Sequence, residues 1–246
     1  MKKSVTRNSW WSGMLFLGVI TLMLLCGVAS ATTVPFTEDF PTDAAGWRDS
    51  AGTSVVGWLP SGGPDGSAFV TTTFNFVGST SEDTPALFRA QDEFGSSGGA
   101  FEGNWINDGV ERISFRVRHD AGVPLTFFMR FADPANFPGA AAVVAVPIPS
   151  GQWTSASIVL PNPGLVFEGP FEFGDVFDNI GHVQIGVLAP APLIGVDQTV
   201  TFDLDKVAIV NNVPTVSEWG VAAMTLMVAV AGTLVLRQRL MSRTAS

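Results

Sequence analysis

Four acidic residues near the two ends of the central part of the chain could together bind a divalent cation. Glu38 and Asp39 lie in the first apolar segment after the N-terminal region, and Asp203 and Asp205 lie in the last. In a strand, the two-residue repeat places Asp203 and Asp205 on one face. First and last strands are often neighbours in β-sandwiches, so carboxylates and backbone carbonyls could meet there and supply the oxygens that calcium prefers. The sequence predicts a structural calcium site, with solvated carboxylates as the alternative.

Tryptophan side chains are the candidates for contact with a sugar, because an indole face stacks on a sugar ring. Trp47 and Trp153 stand in apolar strand contexts, which favour packing in the core. Trp58 and Trp105 stand beside Gly, Pro and Asn residues. They are therefore the predicted ligand-binding residues, with core packing as the alternative. The complete lack of tyrosine weakens the sugar-binding hypothesis.

Nucleophilic and zinc-based catalysis have little support. Residues 95–99 read Gly-Ser-Ser-Gly-Gly and satisfy G-x-S-x-G, but a nucleophile elbow needs a buried strand before it and a helix after it. Polar residues flank this segment, so we predict a flexible loop. His119 and His182 are the only histidines and lack metal or triad spacing. A glycosidase-type carboxylate pair stays open, because nothing selects one pair among the acids. We assign no catalytic residue.

Short alternating segments must position these side chains, and they predict an antiparallel β protein. In residues 110–120, Ile113, Phe115 and Val117 alternate with polar residues, so one face is core and the other is solvent. Further strands are expected at 34–40, 53–59, 67–77, 86–90, 125–131, 141–148, 153–160, 183–187 and 200–204. Roughly ten strands with Gly- and Pro-rich turns predict an all-β, two-sheet antiparallel sandwich of jelly-roll type.

Three local patterns resemble the galactose-binding-like jelly roll of many carbohydrate-binding modules. They are Phe-Thr-Glu-Asp-Phe at 36–40 followed by Gly46-Trp47, Gly-Gln-Trp-Thr at 151–154, and Phe-Asp-Leu-Asp-Lys-Val at 202–207. The resemblance implies polysaccharide binding. It also implies a structural calcium, held by an acidic residue near the start and another in the final strand.

The N-terminus is typical of a secretory signal. Lys2, Lys3 and Arg7 precede the apolar residues 14–28, and an A-x-A cleavage site follows at residues 29–31. We therefore expect residues 1–31 to be removed by signal peptidase, with an uncleaved anchor as the alternative.

Residues 32–212 form the predicted exported domain, and this domain is strongly acidic. It contains 7 basic and 21 acidic residues, so its net charge is 7 − 21 = −14. Such a surface repels phosphate backbones, which argues against nucleic-acid binding, and it attracts divalent cations or basic partners. Solubility alone is the alternative reason for this charge. The domain has no cysteine, so its stability must come from an apolar core, with or without a metal.

The C-terminal region, residues 213–246, has three parts. Residues 213–220 read Val-Pro-Thr-Val-Ser-Glu-Trp-Gly, residues 220–236 are uncharged and apolar, and the basic tail 237–246 carries three arginines. As a helix, the 17 residues of the apolar segment would span ~25 Å, which just crosses a bilayer core. The arginines then place the C-terminus in the cytoplasm.

This order of motif, apolar segment and arginine cluster resembles the IPTL-CTERM sorting signal, a relative of PEP-CTERM. The family pattern begins Ile-Pro-Thr-Leu, and valine occupies both apolar places here. The resemblance implies that an exosortase, a membrane-embedded cysteine transpeptidase, recognises the signal and removes the tail. The implied recognition residues are Val213, Pro214, Thr215, Val216, Trp219 and Gly220.

The sequence therefore predicts an exported protein, anchored in the membrane through its C-terminal helix and then passed to the cell surface or extracellular matrix. Its predicted role is structural or adhesive and non-catalytic. Polysaccharide binding is the first alternative and a secreted hydrolase the second. For the tail itself, the alternative is an ordinary single-span anchor.

Overall fold

The computed structural model describes residues 34–211. The predicted signal peptide, membrane helix, sorting motif and basic tail lie outside these residues. Within residues 34–211, no helix is long and apolar enough to cross a membrane.

The described part of the chain consists almost entirely of β-strands. The strands are β1 (Phe36–Glu38), β2 (Gly57–Leu59), β3 (Phe69–Asn75), β4 (Ala86–Gln91), β5 (Val110–His119), β6 (Phe127–Ala132), β7 (Gly139–Val143), β8 (Thr154–Val159), β9 (Val166–Phe167), β10 (His182–Val187) and β11 (Thr199–Asn211). One short helix, α1 (Phe173–Phe177), precedes β10.

The strands form two antiparallel sheets, which makes the fold an all-β, jelly-roll-like sandwich. The first sheet has six strands in the order β2-β3-β11-β5-β8, with β1 also paired to β11, and the second has five in the order β4-β10-β6-β7-β9. β11 pairs with β3 through its first half, as at Val200 and Phe74, and with β1 through its second half, as at Ile209 and Phe36. The expected proximity of the first and last strands is confirmed.

The core lies between the two sheets, and the alternating residues build it as predicted. Phe115 of β5, Phe127 and Phe131 of β6, Ile185 of β10 and Phe202 of β11 are all buried. Each contributes about 1.5–3 kcal/mol through removal of its side chain from water. In β5 and β8 the other face is more exposed, whereas β10 is buried at all six of its residues.

The predicted strands are present, but several are shorter than expected, and two elements were not predicted. β1 and β2 each have only three residues. β9 has two residues and α1 has five, so both are too short to show a periodicity in the sequence. Both lie between β8 and β10 in the chain; β9 pairs with β7 at the edge of the second sheet, and the residues that directly follow α1 line the cleft described below.

A loop covers part of the outer face of the first sheet. The Ser67 hydroxyl donates to Asp205 Oδ2 at 2.7 Å, and the Trp153 indole N–H donates to the Gly62 carbonyl at 3.1 Å. The Lys206 ammonium pairs with Asp65 of the same loop. As a result Asp205, which points away from the core, has no exposed surface.

Candidate functional site

A cleft of about 400 Å³ opens where β4 and β6 end and β5 and β10 begin. Its acidic lining residues are Asp92, Glu102, Asp108 and Asp178. Its amide lining residues are Asn104, Asn107 and Asn179. These groups accept and donate hydrogen bonds and attract cations, so the cleft suits a polar, hydroxylated or cationic ligand.

Backbone hydrogen bonds and aromatic packing hold the floor of this cleft. Gly103 and Ile180 exchange two backbone hydrogen bonds of 2.8 Å. The Trp105 indole N–H donates to the Phe101 carbonyl at 2.9 Å, and its ring packs against Phe131 at 5.6 Å between centroids. The loop that carries Asn104, Asn107 and Asp108 is therefore anchored to the core.

The structure corrects the expectation that Trp105 presents its ring to a ligand. Only 1% of Trp105 is exposed, because its indole packs in the core against Phe131 and Phe177. Trp58 is half-buried, and its indole N–H donates to the Phe40 carbonyl at 2.8 Å. Trp47 is buried as predicted, whereas Trp153 is half-buried with the Arg118 guanidinium 4.9 Å from its ring centroid. Of the two predicted ligand residues, only Trp58 keeps accessible surface.

The electrostatics of the cleft show a local excess of negative charge. Burial raises the pKa of the Glu102 carboxyl above its usual range, and repulsion from Asp92 and Glu93 raises it further. Carboxylates that repel one another in this way favour the binding of a proton or a cation.

The carboxylates predicted to bind calcium are brought near one another only in part. Asp203 forms an ion pair of 2.8 Å with Arg118 and accepts from the Thr71 hydroxyl at 2.7 Å. Burial raises the pKa of Asp205, against the hydrogen bond from Ser67, and repulsion from Asp39 adds to the rise. The pairing of β1 with β11 therefore places Asp39 close enough to Asp205 for their charges to interact.

Glu38, the fourth predicted ligand, already has a structural role. Its Oε1 accepts the backbone N–H of Phe40 at 2.8 Å, which leaves its second oxygen for other contacts. Among the four predicted ligands, the structure relates only Asp39 and Asp205 through their charges. Asp203 is paired with Arg118, and no three of the four have ligand atoms within 4.8 Å of one another. Calcium binding here stays a prediction.

Another set of potential metal ligands was missed by sequence reasoning. In the part of the chain that the structure describes, one group of three metal-ligating side chains has its ligand atoms within 4.8 Å of one another: Asp92, Glu93 and His182. The acids follow β4 and the histidine opens β10, which pairs with β4. The adjacent acids Asp92-Glu93 were visible in the sequence, but their pairing with His182 depends on the sheet order.

The G-x-S-x-G segment was predicted to be a flexible loop without a nucleophile elbow; it is a 3₁₀ turn that tertiary hydrogen bonds hold in place. Ser97 lies in the 3₁₀ turn Ser96–Gly99, and its hydroxyl accepts the Trp47 indole N–H at 2.8 Å. No strand-to-helix elbow is formed among the described elements around it. This hydroxyl holds a core tryptophan in place.

The predicted recognition residues at 213–220 lie outside the described residues, but a comparison of the sequence identifies this region. Residues 213–239 match the IPTL-CTERM motif. The tail of this chain is an IPTL-CTERM motif. The match runs from Val213 through the apolar segment to Arg239, which confirms the resemblance seen in the sequence. No curated protein matches the chain.

Solved structures with a similar fold include several carbohydrate-binding modules. The CBM22-1 and GH10 modules of a Clostridium thermocellum xylanase are 18% identical with a TM-score of 0.46, over 74% of this chain and 29% of that one. The CBM22-1 xylan-binding domain of a Paenibacillus barcinonensis xylanase is 14% identical with a TM-score of 0.42, over 74% and 100%. The L4b domain of human laminin alpha-2 is 12% identical with a TM-score of 0.43, over 72% and 96%. These similarities concern the fold alone.

Proposed function

We propose that this chain is an exported protein that an exosortase-type transpeptidase processes, and that its β-sandwich has a structural or adhesive role at the cell surface or in the extracellular matrix. The observation that carries the proposal is the IPTL-CTERM motif at residues 213–239. In this proposal the signal peptide directs export, and the apolar segment anchors the chain in the membrane until processing. The acidic sandwich is then the part that remains outside the cell.

Mass spectrometry of the mature C-terminus tests the sorting step. In host cells with an active exosortase, we expect the mature chain to lack Arg237, Arg239 and Arg243. Changing Pro214 and Trp219 to alanine removes two proposed recognition residues, so the variant should keep its tail and stay in the membrane fraction. Ser217→Ala is the matched control, since Ser217 lies within the motif but is not a proposed recognition residue. An intact tail on the wild-type chain in such cells would contradict the proposal.

Polysaccharide binding is the second candidate function, and the cleft is the observation that favours it. Its amides and carboxylates at Asn107, Asp178 and Asn179 are suited to hydrogen bonds with sugar hydroxyls. We expect affinity gels containing the host exopolysaccharide to retard the wild-type protein and to retard a N107A/N179A variant less. Gln152→Ala removes an exposed amide that does not line the cleft and serves as the control.

Trp58 is a separate part of this candidate function, because it does not line the cleft. If its half-exposed ring contacts the ligand, Trp58→Ala should weaken retardation while the cleft is intact. Retardation that is equal in the wild type and in all of these variants would contradict polysaccharide binding by these residues.

A non-catalytic role makes a further prediction for the same cleft. Four carboxylates line it, and the raised pKa of Glu102 is a property of general acids in glycosidases. We expect no release of reducing sugars from polysaccharides incubated with the protein. If the wild-type protein released reducing sugars and the Glu102→Gln variant did not, the protein would be a secreted hydrolase rather than a structural protein.

A further inference from the structure

The site beside the cleft combines one buried imidazole with two carboxylates. His182 Nε2 lies 3.0 Å from Glu93 Oε2 and 3.3 Å from Asp92 Oδ1. His182 is 3% exposed, and its Nε2 has no hydrogen-bond partner despite these short distances. Asp92 Oδ1 is likewise buried without a hydrogen bond. Polar atoms that are buried together in this way are costly unless something binds between them.

The contacts of the other ring nitrogen, Nδ1, bear on whether Nε2 carries a proton or a lone pair. His182 Nδ1 lies 3.1 Å from Asn136 Oδ1 and 3.2 Å from Gln91 Nε2. Arg130 Nη1 donates to the same Asn136 oxygen at 2.7 Å, so this oxygen is an acceptor for an Nδ1–H. Gln91 Nε2 is a donor and would pair with the other tautomer, whereas an imidazole that binds a metal through Nε2 carries its proton on Nδ1, facing Asn136. In the tautomer protonated on Nδ1, Nε2 directs a lone pair towards the two carboxylates.

Three lone-pair donors that face one another require a cation between them. The cation is either the second ring proton of an imidazolium or a metal ion. A ring proton would be expected to form a hydrogen bond to one carboxylate oxygen, and neither contact has that geometry. In a tetrahedral zinc site with bonds of about 2.0–2.2 Å, ligand atoms lie roughly 3.3–3.6 Å apart, which is close to the separations observed here.

We propose that His182, Asp92 and Glu93 form a binding site for a divalent transition-metal ion, zinc above all. Calcium and magnesium prefer ligand sets made of oxygen alone, whereas an imidazole with two carboxylates suits zinc. Asn136 is the positioning residue, since it orients the imidazole through Nδ1 as outer groups do in many metal sites.

The surroundings of the site let ions reach it and hold its ligands in place. Asp92 also lines the cleft, so water and ions reach the site from that side. The Asp92 backbone N–H donates to the Gly181 carbonyl at 3.0 Å, which ties the acidic turn to the start of β10 before any ion binds. A bound ion would join β4 to β10 at the edge of the cleft, with its remaining coordination positions open to water or to an oxygen of a ligand.

Zinc titration of the full-length, chelator-treated protein tests the site. We expect calorimetry to show one zinc ion bound per chain and a rise in melting temperature. Asp92→Asn and Glu93→Gln should each weaken zinc affinity by at least ~10-fold. Asp178→Asn and Asp108→Asn remove the same charge from the same cleft but lie outside the group of three, so their affinities should stay within about twofold of wild type.

A second readout separates a metal site from a simple ion pair. Cobalt substituted for zinc should give a visible absorption band that is lost in His182→Asn. This substitution keeps a donor for Asn136 while it removes Nε2. Should this variant fail to fold, Asp92→Asn and Glu93→Gln decide the question, because those side chains are partly exposed. Absence of zinc binding, or equal affinity in these variants and in the controls, would overturn the proposal and leave an imidazolium–carboxylate ion pair.

Discussion

His119 shows how one buried polar residue ties stability to pH. It lies at the end of β5 with its ring between Phe127 and Phe202, at 6.0 and 6.2 Å between centroids. Its Nε2 contacts the Ile148 carbonyl at 3.0 Å and donates to it. Burial lowers the pKa of the imidazole below its usual range, and the carbonyl of Ile148 opposes this only in part. The folded protein therefore keeps this ring neutral.

We predict that the free energy of unfolding falls as the pH drops below about 6.5, the ordinary pKa of histidine. In that range the unfolded chain binds a proton that the folded chain does not, so acid favours unfolding, and the effect is absent at higher pH. Denaturant unfolding between pH 7 and pH 5 measures it. His119→Gln keeps a donor for Ile148 and removes the titration, so its dependence on pH should be shallower. Equal slopes for the two proteins would contradict this assignment.

At the scale of single elements, close packing across the second sheet depends on a residue without a side chain. Gly186 lies at a register shift between β10 and β4. A Cβ atom there would lie 2.5 Å from Phe128 Cε1 and 2.5 Å from the Pro85 carbonyl oxygen. The strand can pair on both sides at this point only because the position is glycine.

Gly186→Ala should lower the free energy of unfolding by about 1–3 kcal/mol, because backbone or the Phe128 ring must shift to make room. Gly174→Ala is the matched control. A Cβ at Gly174 of α1 would meet nothing within 4 Å, and alanine favours a helix over glycine by up to about 1 kcal/mol. We expect this variant to be unchanged or more stable in the same denaturant titration. If Gly186→Ala left the free energy of unfolding unchanged, β10 and β4 would be less tightly packed than described.

At the scale of the whole molecule, residues 32–212 carry a net charge of −14, so this part of the chain attracts cations whether or not it has a specific site for them. Any salt screens repulsion among the acids, so a specific calcium site must be separated from screening. Arg118 neutralises Asp203, and of the other predicted calcium ligands Asp39 and Asp205 are the two whose charges interact, near the junction of β1 and β11.

We predict that calcium raises the melting temperature of the chelator-treated protein more than magnesium at equal ionic strength, since a ligand that binds the folded state stabilises it. Asp39→Asn should lose this difference, because it removes the charge of a proposed calcium ligand. Asp39 is exposed, so the substitution leaves the core unchanged. Asp92→Asn should keep it, which distinguishes this site from the proposed zinc site. Equal effects of the two ions on the wild type would reject calcium binding.

Local patterns by themselves predicted the type of fold and identified the sorting motif. Alternation such as Ile113, Phe115 and Val117 is a property of consecutive residues, so it predicted strands and their buried faces. The IPTL-CTERM motif at residues 213–239 is also a continuous stretch, and it was recognisable without a fold.

Only the tertiary structure decided which distant polar groups meet. Strand order and register place His182 beside Asp92 and Glu93, pair Asp203 with Arg118, and bury the ring of Trp105 against Phe131. These contacts join residues from different strands and loops, and a strand's own alternation is the same whichever neighbour it pairs with. The side chains that could carry chemistry were therefore visible in the sequence, whereas their partners depended on how the two sheets assemble.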